Sequence, residues 1–274
     1  GRAGVDVILA DEDFLIGGRL NQESLSINDQ EGSHFAASIY DELISLPNVK
    51  VMTRTTVIGA FDHGIYGLVE RVADHLSMPA DGQPRQRLWR VYSQYALLCA
   101  GATERSIAFE NNDRPGIMLA GAVRAYANRW ATAVGDRIAI FTNNDDAYRT
   151  AHDLHQLGVE IAAVIDSRPE APKSNSFEVL SASEVVNTHG RLGLNSIDVK
   201  TPQGLRQIQV SGLGVSGGWN PNIHLTCHQR GRPQWDAALS AFIPSAELPK
   251  GLHIAGAANG QMTTAAAIDD AVKT

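Results

Sequence analysis

The chain has 274 residues, 43% hydrophobic and 19% charged, which suits a soluble protein with a substantial core in one large or two ordinary domains. A net charge of −7 argues against a nucleic-acid or anionic-membrane surface, because either needs a concentrated excess of Lys and Arg. Small molecules or proteins are the expected partners. Cys99 and Cys227 lie too far apart for a C-x-x-C pair and are expected as small core residues. No apolar run approaches the ~20 residues of a membrane span and no charged-then-apolar leader opens the chain, so the expected location is the cytoplasm.

In chain order, "VDVILA" (5–10) is an apolar, β-branched run that fits a parallel strand buried on both faces, and it ends at Asp11, Glu12 and Asp13. An acid at the end of a second dinucleotide-binding strand accepts hydrogen bonds from ribose hydroxyls and disfavours a 2′-phosphate, so Asp11 and Glu12 are cofactor candidates. Gly17 and Gly18 with Arg19 could bring backbone amides and a guanidinium near the same ligand. Only "GRAG" precedes this strand, so the first strand and its G-x-G-x-x-G turn are expected to be missing. "SHFAASIYDELISL" is predicted helical with Ser33 as N-cap, "VKVMTRTTVIGAFD" as a strand pair or bulged strand, and residues 65–102 as a small antiparallel layer.

A second unit follows. "AGAVRAYANRW" is helical, "DRIAIFTNND" a buried strand, "DAYRTAHDLHQLG" an amphipathic helix and "VEIAAVID" another buried strand ending at Asp166, the β-α-β dinucleotide-binding pattern. Its loop carries Asn143, Asn144, Asp145 and Asp146 where a phosphate loop needs glycine, and two carboxylates there would repel a pyrophosphate. His152 and His155 fit a solvated helix face, the histidines form no metal constellation, and no Ser/His/Asp or Cys/His arrangement supports nucleophilic catalysis. "LRQIQVSGLGVSGGWNPN" runs from strand into a Gly-rich turn, where Trp219, His224 and His228 could line a pocket or an interface. "GLHIAGAANGQMTTAA" delivers small residues to a loop before a helix that Thr263 or Thr264 begins, a place where backbone can approach a ligand.

The expected fold is therefore α/β, two interleaved Rossmann-like three-layer units with a small antiparallel β layer. Residues 1–120 plus 245–274 form a truncated dinucleotide-binding domain, and residues 121–244 form an inserted Rossmann-like domain without a phosphate-binding glycine loop.

"ADEDFLIGG", "RTTVIGAFDHGIYG", "FENNDRPGIMLAGAVRAYANRW", "SGGWNPNIHL" and "LHIAGAANGQMTTAA" together resemble the α subunit of heterotetrameric sarcosine oxidase, over nearly all of the chain. The resemblance implies an internal fragment of a longer subunit. It also implies an intact enzyme that oxidises sarcosine with oxygen through FAD and FMN, passes the one-carbon unit to tetrahydrofolate in a downstream domain, and works with β, γ and δ subunits. The family's α subunit holds NAD. Carried over, the NAD site comprises Asp11, Glu12, Gly18, Arg19, Val57 on the adenosine side, Ala257, Met262 (in place of Leu) and Thr264. No catalytic residue is expected in this chain, and the isolated fragment is expected to be inactive and compromised as an NAD binder. Two other readings compete: a non-catalytic scaffold of a related amine or opine oxidising complex, and a pyridine-nucleotide-dependent flavin reductase. The reductase reading needs a redox cysteine pair or an intact second phosphate loop.

Overall fold

The computed structural model describes all 274 residues. The elements used below are β1 (Val7–Ala10), α1 (Gly32–Ser45), β2 (Val49–Met52), β3 (Thr55–Phe61), β4 (Ile65–Glu70), β5 (Arg87–Tyr92), β6 (Ala96–Leu98), β7 (Ile117–Leu119), α2 (Ala120–Trp130), β8 (Arg137–Thr142), α3 (Asp146–Gln156), β9 (Glu160–Asp166), β10 (Val179–Leu180), β11 (Glu184–His189), β12 (Ser196–Thr201), β13 (Gly204–Gln209), β14 (Gly212–Ser216), β15 (Leu252–Ile254) and α4 (Thr264–Lys273). No helix is long and apolar enough to cross a membrane.

The chain forms two compact units. One comprises residues 1–18, 27–103 and 220–274, and the other residues 19–26 and 104–219. The observed joints at 104 and 219 differ from the expected 121 and 244. The segment 104–119 leads into α2 through β7, a member of the second unit's sheet, and so belongs with that unit. The segment 19–26 was not expected there at all.

In the second unit β7, β14, β8, β9 and β10 form one parallel sheet in that order. Strands β8 and β9 are apolar on both faces, and both faces are covered. Ile138, Ile140, Ile161 and Val164 pack with Val123, Ala127, Ala151 and Leu154 of α2 and α3. Ala139, Phe141, Ala163 and Ile165 pack instead with Val185, Ile197, Val199 and Ile208 of the antiparallel sheet β11-β12-β13. A register shift between Ile138 and Ala139 against β9 explains why Ile161 and Val164, three residues apart, share a face. Gly214 is required by packing, since a Cβ there would lie 2.7 Å from Ile140 Cδ1 and 3.4 Å from the Ala120 backbone where α2 begins. At its other end α2 stops at Ala131 in the left-handed region (φ 49°), whose N–H donates to the Ala127 carbonyl while the Thr132 N–H donates to the Tyr126 carbonyl.

The first unit contains the parallel pair β1-β2, the parallel pair β6-β15 and the antiparallel sheet β3-β4-β5. All three meet in one apolar cluster that includes Met52, Ala60, Leu68, Leu98, Leu252, Ile254 and Ala258, with Ala10 and Val57 against it. The expected bulge lies in β3, between Val57 and Gly59. The N-cap of α1 is Glu31 rather than Ser33, and its side chain makes no capping bond, so the helix starts on a short hairpin (Ser26–Ile27 with Gln30–Glu31) and not on a hydroxyl. Cys99 and Cys227 are exposed, contrary to the core placement expected for them: Cys99 is the first residue after β6, and Cys227 is the last residue of a four-residue helix (His224–Cys227) whose buried positions are Leu225 and Thr226.

Ile140 is fully buried between β14 and the helices. Ile140→Ala is expected to destabilise the second unit by about 2–5 kcal/mol, read as a lower urea midpoint.

Candidate functional site

In the first unit Asp11 follows β1 directly. Its backbone N–H donates to the Met52 carbonyl at 3.0 Å, its carbonyl accepts from Thr55 N at 2.8 Å, and its Oδ1 accepts from Asp13 N at 2.9 Å. The carboxylate is thus fixed at the carboxyl end of the β1-β2 pair, the end of a parallel sheet where open α/β folds take ligands. Glu12 is exposed, and its carbonyl is held by the Arg71 guanidinium at 2.5 Å. Gly18 has a left-handed φ of 51° and open space where a Cβ would stand. Val57 lines the same apolar cluster as Ala10 and Ala258, so the structure brings the β1 end, β3 and the Gly256–Asn259 turn around one core.

That turn is built for close packing. Gly256 has φ 73° and donates its N–H to Asp270 Oδ2 at 2.9 Å, while Asn259 Nδ2 donates to the same carboxylate at 3.1 Å. Ala257 is half-buried inside the turn, and Met262 is half-buried in the stretch before α4. Thr264 is the first residue of α4, whose cap is Thr263, with Oγ1 accepting from Ala266 N at 3.2 Å.

Arg19 follows Gly18 directly in the chain. It belongs to the second unit, where its guanidinium contacts Glu23, lies 2.9 Å from Asp146 and stacks 4.2 Å from the centre of the Trp219 ring. Glu23 in turn lies 2.9 Å from Arg149 and 3.7 Å from the buried Arg124. Arg124 reaches Asp153 at 2.5 Å, and Asp153 also binds Ser24 and, at 3.0 Å, Asn128. Burial works against the Asp153 carboxylate, yet the Ser24 bond, the Arg124 charge and the Asn128 amide together hold it below the usual carboxylate range. Residues 19–26 are therefore clamped onto α2 and α3 by charges that compensate one another out of water. Sequence reading found none of this, because the partners lie more than a hundred positions away.

At the carboxyl edge of the second unit's sheet the polar loop satisfies itself. Asn144 Oδ1 accepts from Asp146 N at 3.1 Å, and Asn144 Nδ2 donates to the Ser216 carbonyl at 3.1 Å. Asp166, fully buried, binds Tyr148 Oη at 2.8 Å and Arg168 at 2.7 Å, and Arg168 also meets Asp145 at 2.8 Å. Burial and the adjacent Asp166 push the Tyr148 phenol well above its ordinary range. The acid that ends β9 is thus committed to internal partners, and the Asp146 carboxylate with the Arg19 guanidinium lies where a phosphate would meet the start of α3. His152 and His155 are exposed, as the helical pattern predicts, with Phe177 between them at 5.0 and 6.4 Å.

Another carboxyl in this unit is shifted in the opposite direction by its setting. Glu104 is 8% exposed, and its Oε2 accepts from Gly121 N at 2.7 Å, at the start of α2. Burial pushes its carboxyl up, helped by the Asp146 charge and opposed by Ser216, the Gly121 amide and Arg19. Sequence reading missed it, since a Glu at the end of a three-residue strand carries no signal of burial. No His, Cys, Asp and Glu group is placed to hold a metal ion.

The fold is an α/β, Rossmann-like one shared with solved oxidoreductases. It superimposes with a TM-score of 0.72 on L-proline dehydrogenase from P. horikoshii (18% identity, 94% of this chain and 46% of that one) and on thioredoxin reductase from T. acidophilum (13% identity, 99% and 89%). In sequence the chain is 42% identical over 272 residues to sarcosine oxidase subunit alpha of Rhizobium meliloti (strain 1021), and 34% identical over 289 residues to that of Corynebacterium sp. (strain U-96). The alignments take in 98% and 100% of this chain but 28% and 30% of those relatives, so the chain spans less than a third of their length. The resemblance to sarcosine oxidase α subunits thus extends along the whole chain. No protein-family profile matches.

The raised carboxyl of Glu104 gives a signed pH effect. Below the unfolded-state value the group is protonated in both states and costs nothing, whereas above it the unfolded chain ionises first and the wild type loses stability until the folded value is passed. Glu104→Gln cannot ionise, so its stability relative to wild type is expected to rise from about pH 4 to about pH 8. Thermal melts at the two pH values check this; a gap between the proteins that does not change with pH would refute it.

Proposed function

We propose that this chain is the NAD-binding region of an α subunit in a sarcosine oxidase-like flavoenzyme, an oxidoreductase acting on CH–NH donors in the cytoplasm. The observation that carries the reading is the 42% identity to such an α subunit over 98% of the chain. In the first unit Asp11 and Glu12 at the β1 end accept from ribose hydroxyls, Gly18 lets the backbone turn beside the ligand, and Val57 packs on the adenosine side. Ala257, Met262 and Thr264 supply the small-residue loop and helix start facing the rest of the cofactor. The fixed position of the Asp11 carboxylate and the open space at Gly18 fit this role. Arg19, the residue after Gly18, is part of the same proposed site, with its guanidinium also engaged by Glu23 and Asp146.

In the intact enzyme FAD and FMN carry the electrons from sarcosine to oxygen, and tetrahydrofolate takes the one-carbon unit, with β, γ and δ subunits as partners. This chain's own residues hold and orient the dinucleotide and contribute no proton transfer or nucleophile. The chain alone is accordingly inactive on sarcosine. A scaffold reading, in which the fold is kept without a ligand, is favoured by one observation: the acids at the carboxyl edge of the second unit's sheet are paired within the unit. A flavin reductase reading is not supported by the cysteines, which lie far apart in sequence with no C-x-x-C pair.

Isothermal titration of NAD into a full-length α subunit carrying these residues is expected to show binding, and Asp11→Asn is expected to weaken it by about tenfold or more, the cost of one charge-assisted hydrogen bond. Undiminished affinity in Asp11→Asn would remove that residue from the site, and no NAD binding by the full-length subunit would favour the scaffold.

A further inference from the structure

We propose that His228 is a pH-sensitive latch within the first unit, closing the free edge of β3 while its imidazole is neutral and releasing it on protonation. β3 is an edge strand of the sheet β3-β4-β5, so backbone groups that it turns away from β4 need partners from elsewhere. Two consecutive side chains that follow the short helix His224–Cys227 supply them. His228 Nδ1 accepts from the Ala60 N–H at 3.3 Å, and Gln229 Nε2 donates to the Phe61 carbonyl at 3.0 Å. Leu225 of the same helix shares the apolar cluster of Ala60, which anchors the helix beside the strand.

The contact permits one state of the ring. A backbone N–H only donates, so Nδ1 presents its lone pair and the ring proton sits on Nε2. Protonation adds an N–H at Nδ1, and two donors then face each other. The Ala60 amide loses its acceptor in a residue only 1% exposed, which is unfavourable. His228 itself is exposed, so solvent delivers the proton directly. The Gln229 bond does not titrate, so acid removes one of the two pins and leaves the other. The charged and titratable groups around the ring are His224, whose ring centre lies 6.4 Å away, Cys227, Arg230, and Asp62 and His63 in the turn after β3. His228 is the one that the Ala60 N–H reaches. The inference does not depend on a ligand in either unit.

The test is hydrogen exchange on the full-length subunit carrying these residues, read at single amides by mass spectrometry and corrected for the intrinsic pH dependence of exchange. The range is about pH 8 to about pH 5, across which imidazoles change their charge. Wild-type protection of the Ala60 amide is expected to fall by about tenfold or more toward the acid end, while that of Leu68 in the adjoining β4 stays constant. His228→Asn, whose side-chain oxygen accepts and does not titrate, is expected to keep Ala60 protected at both ends, and His228→Ala to leave it weakly protected at both. The proposal is overturned by wild-type protection at Ala60 that does not change with pH, by an equal fall in His228→Asn, by full protection in His228→Ala, or by a loss at Leu68 that matches the one at Ala60.

Discussion

The second unit depends on the covering of β8 and β9 from both sides. A strand with apolar residues at every position has no face to give to water, so it folds only where two layers close on it at once. Helices α2 and α3 supply one layer and the β11-β12-β13 sheet the other, and successive residues of β8 alternate between them. Because the strands are sealed along their length, polar chemistry is confined to their ends. Glu104, Ser216, Asn144, Asp146 and Asp166 all gather at the carboxyl edge for this reason.

What happens at that edge differs between the units. In the second, the carboxylates are consumed by partners within the unit: Asp166 by Tyr148 and Arg168, Asp146 by Arg19. In the first, the Asp11 carboxylate is held by the neighbouring turn amide and Glu12 stays exposed. Two units of similar plan thus treat the same position in different ways, one closing it with ion pairs and the other tying its first acid to a turn amide and exposing the next.

The legible part of this architecture was periodic or local. Runs such as "RIAIFT" and "EIAAVID" declared buried strands, "AGAVRAYANRW" and "DAYRTAHDLHQLG" declared helices, and the Asn-Asp loop declared itself unfit for a pyrophosphate. The acid after β1 could be read because a strand end and an acid are adjacent in sequence. The illegible part was long-range. Nothing in "RLNQESLS" shows that Glu23 is buried against Arg124 or that Ser24 meets Asp153, since those contacts form only when distant helices are in place. The same holds for Glu104, whose burial is a property of α2 and not of its own strand. Boundaries suffered likewise: β7 reads as an anonymous three-residue run until β14 pairs with it.

The clamp of residues 19–26 has a consequence for how the second unit could be inherited or transplanted. Residues 104–219 look in sequence like a cassette that gene fusion could lift from one protein to another. Lifted alone, they would bury the Arg124 guanidinium without Glu23 and deprive Asp153 of Ser24. The unit is discontinuous in the gene though compact in space, so recombination at its apparent ends would break it, and the two segments are constrained to evolve together.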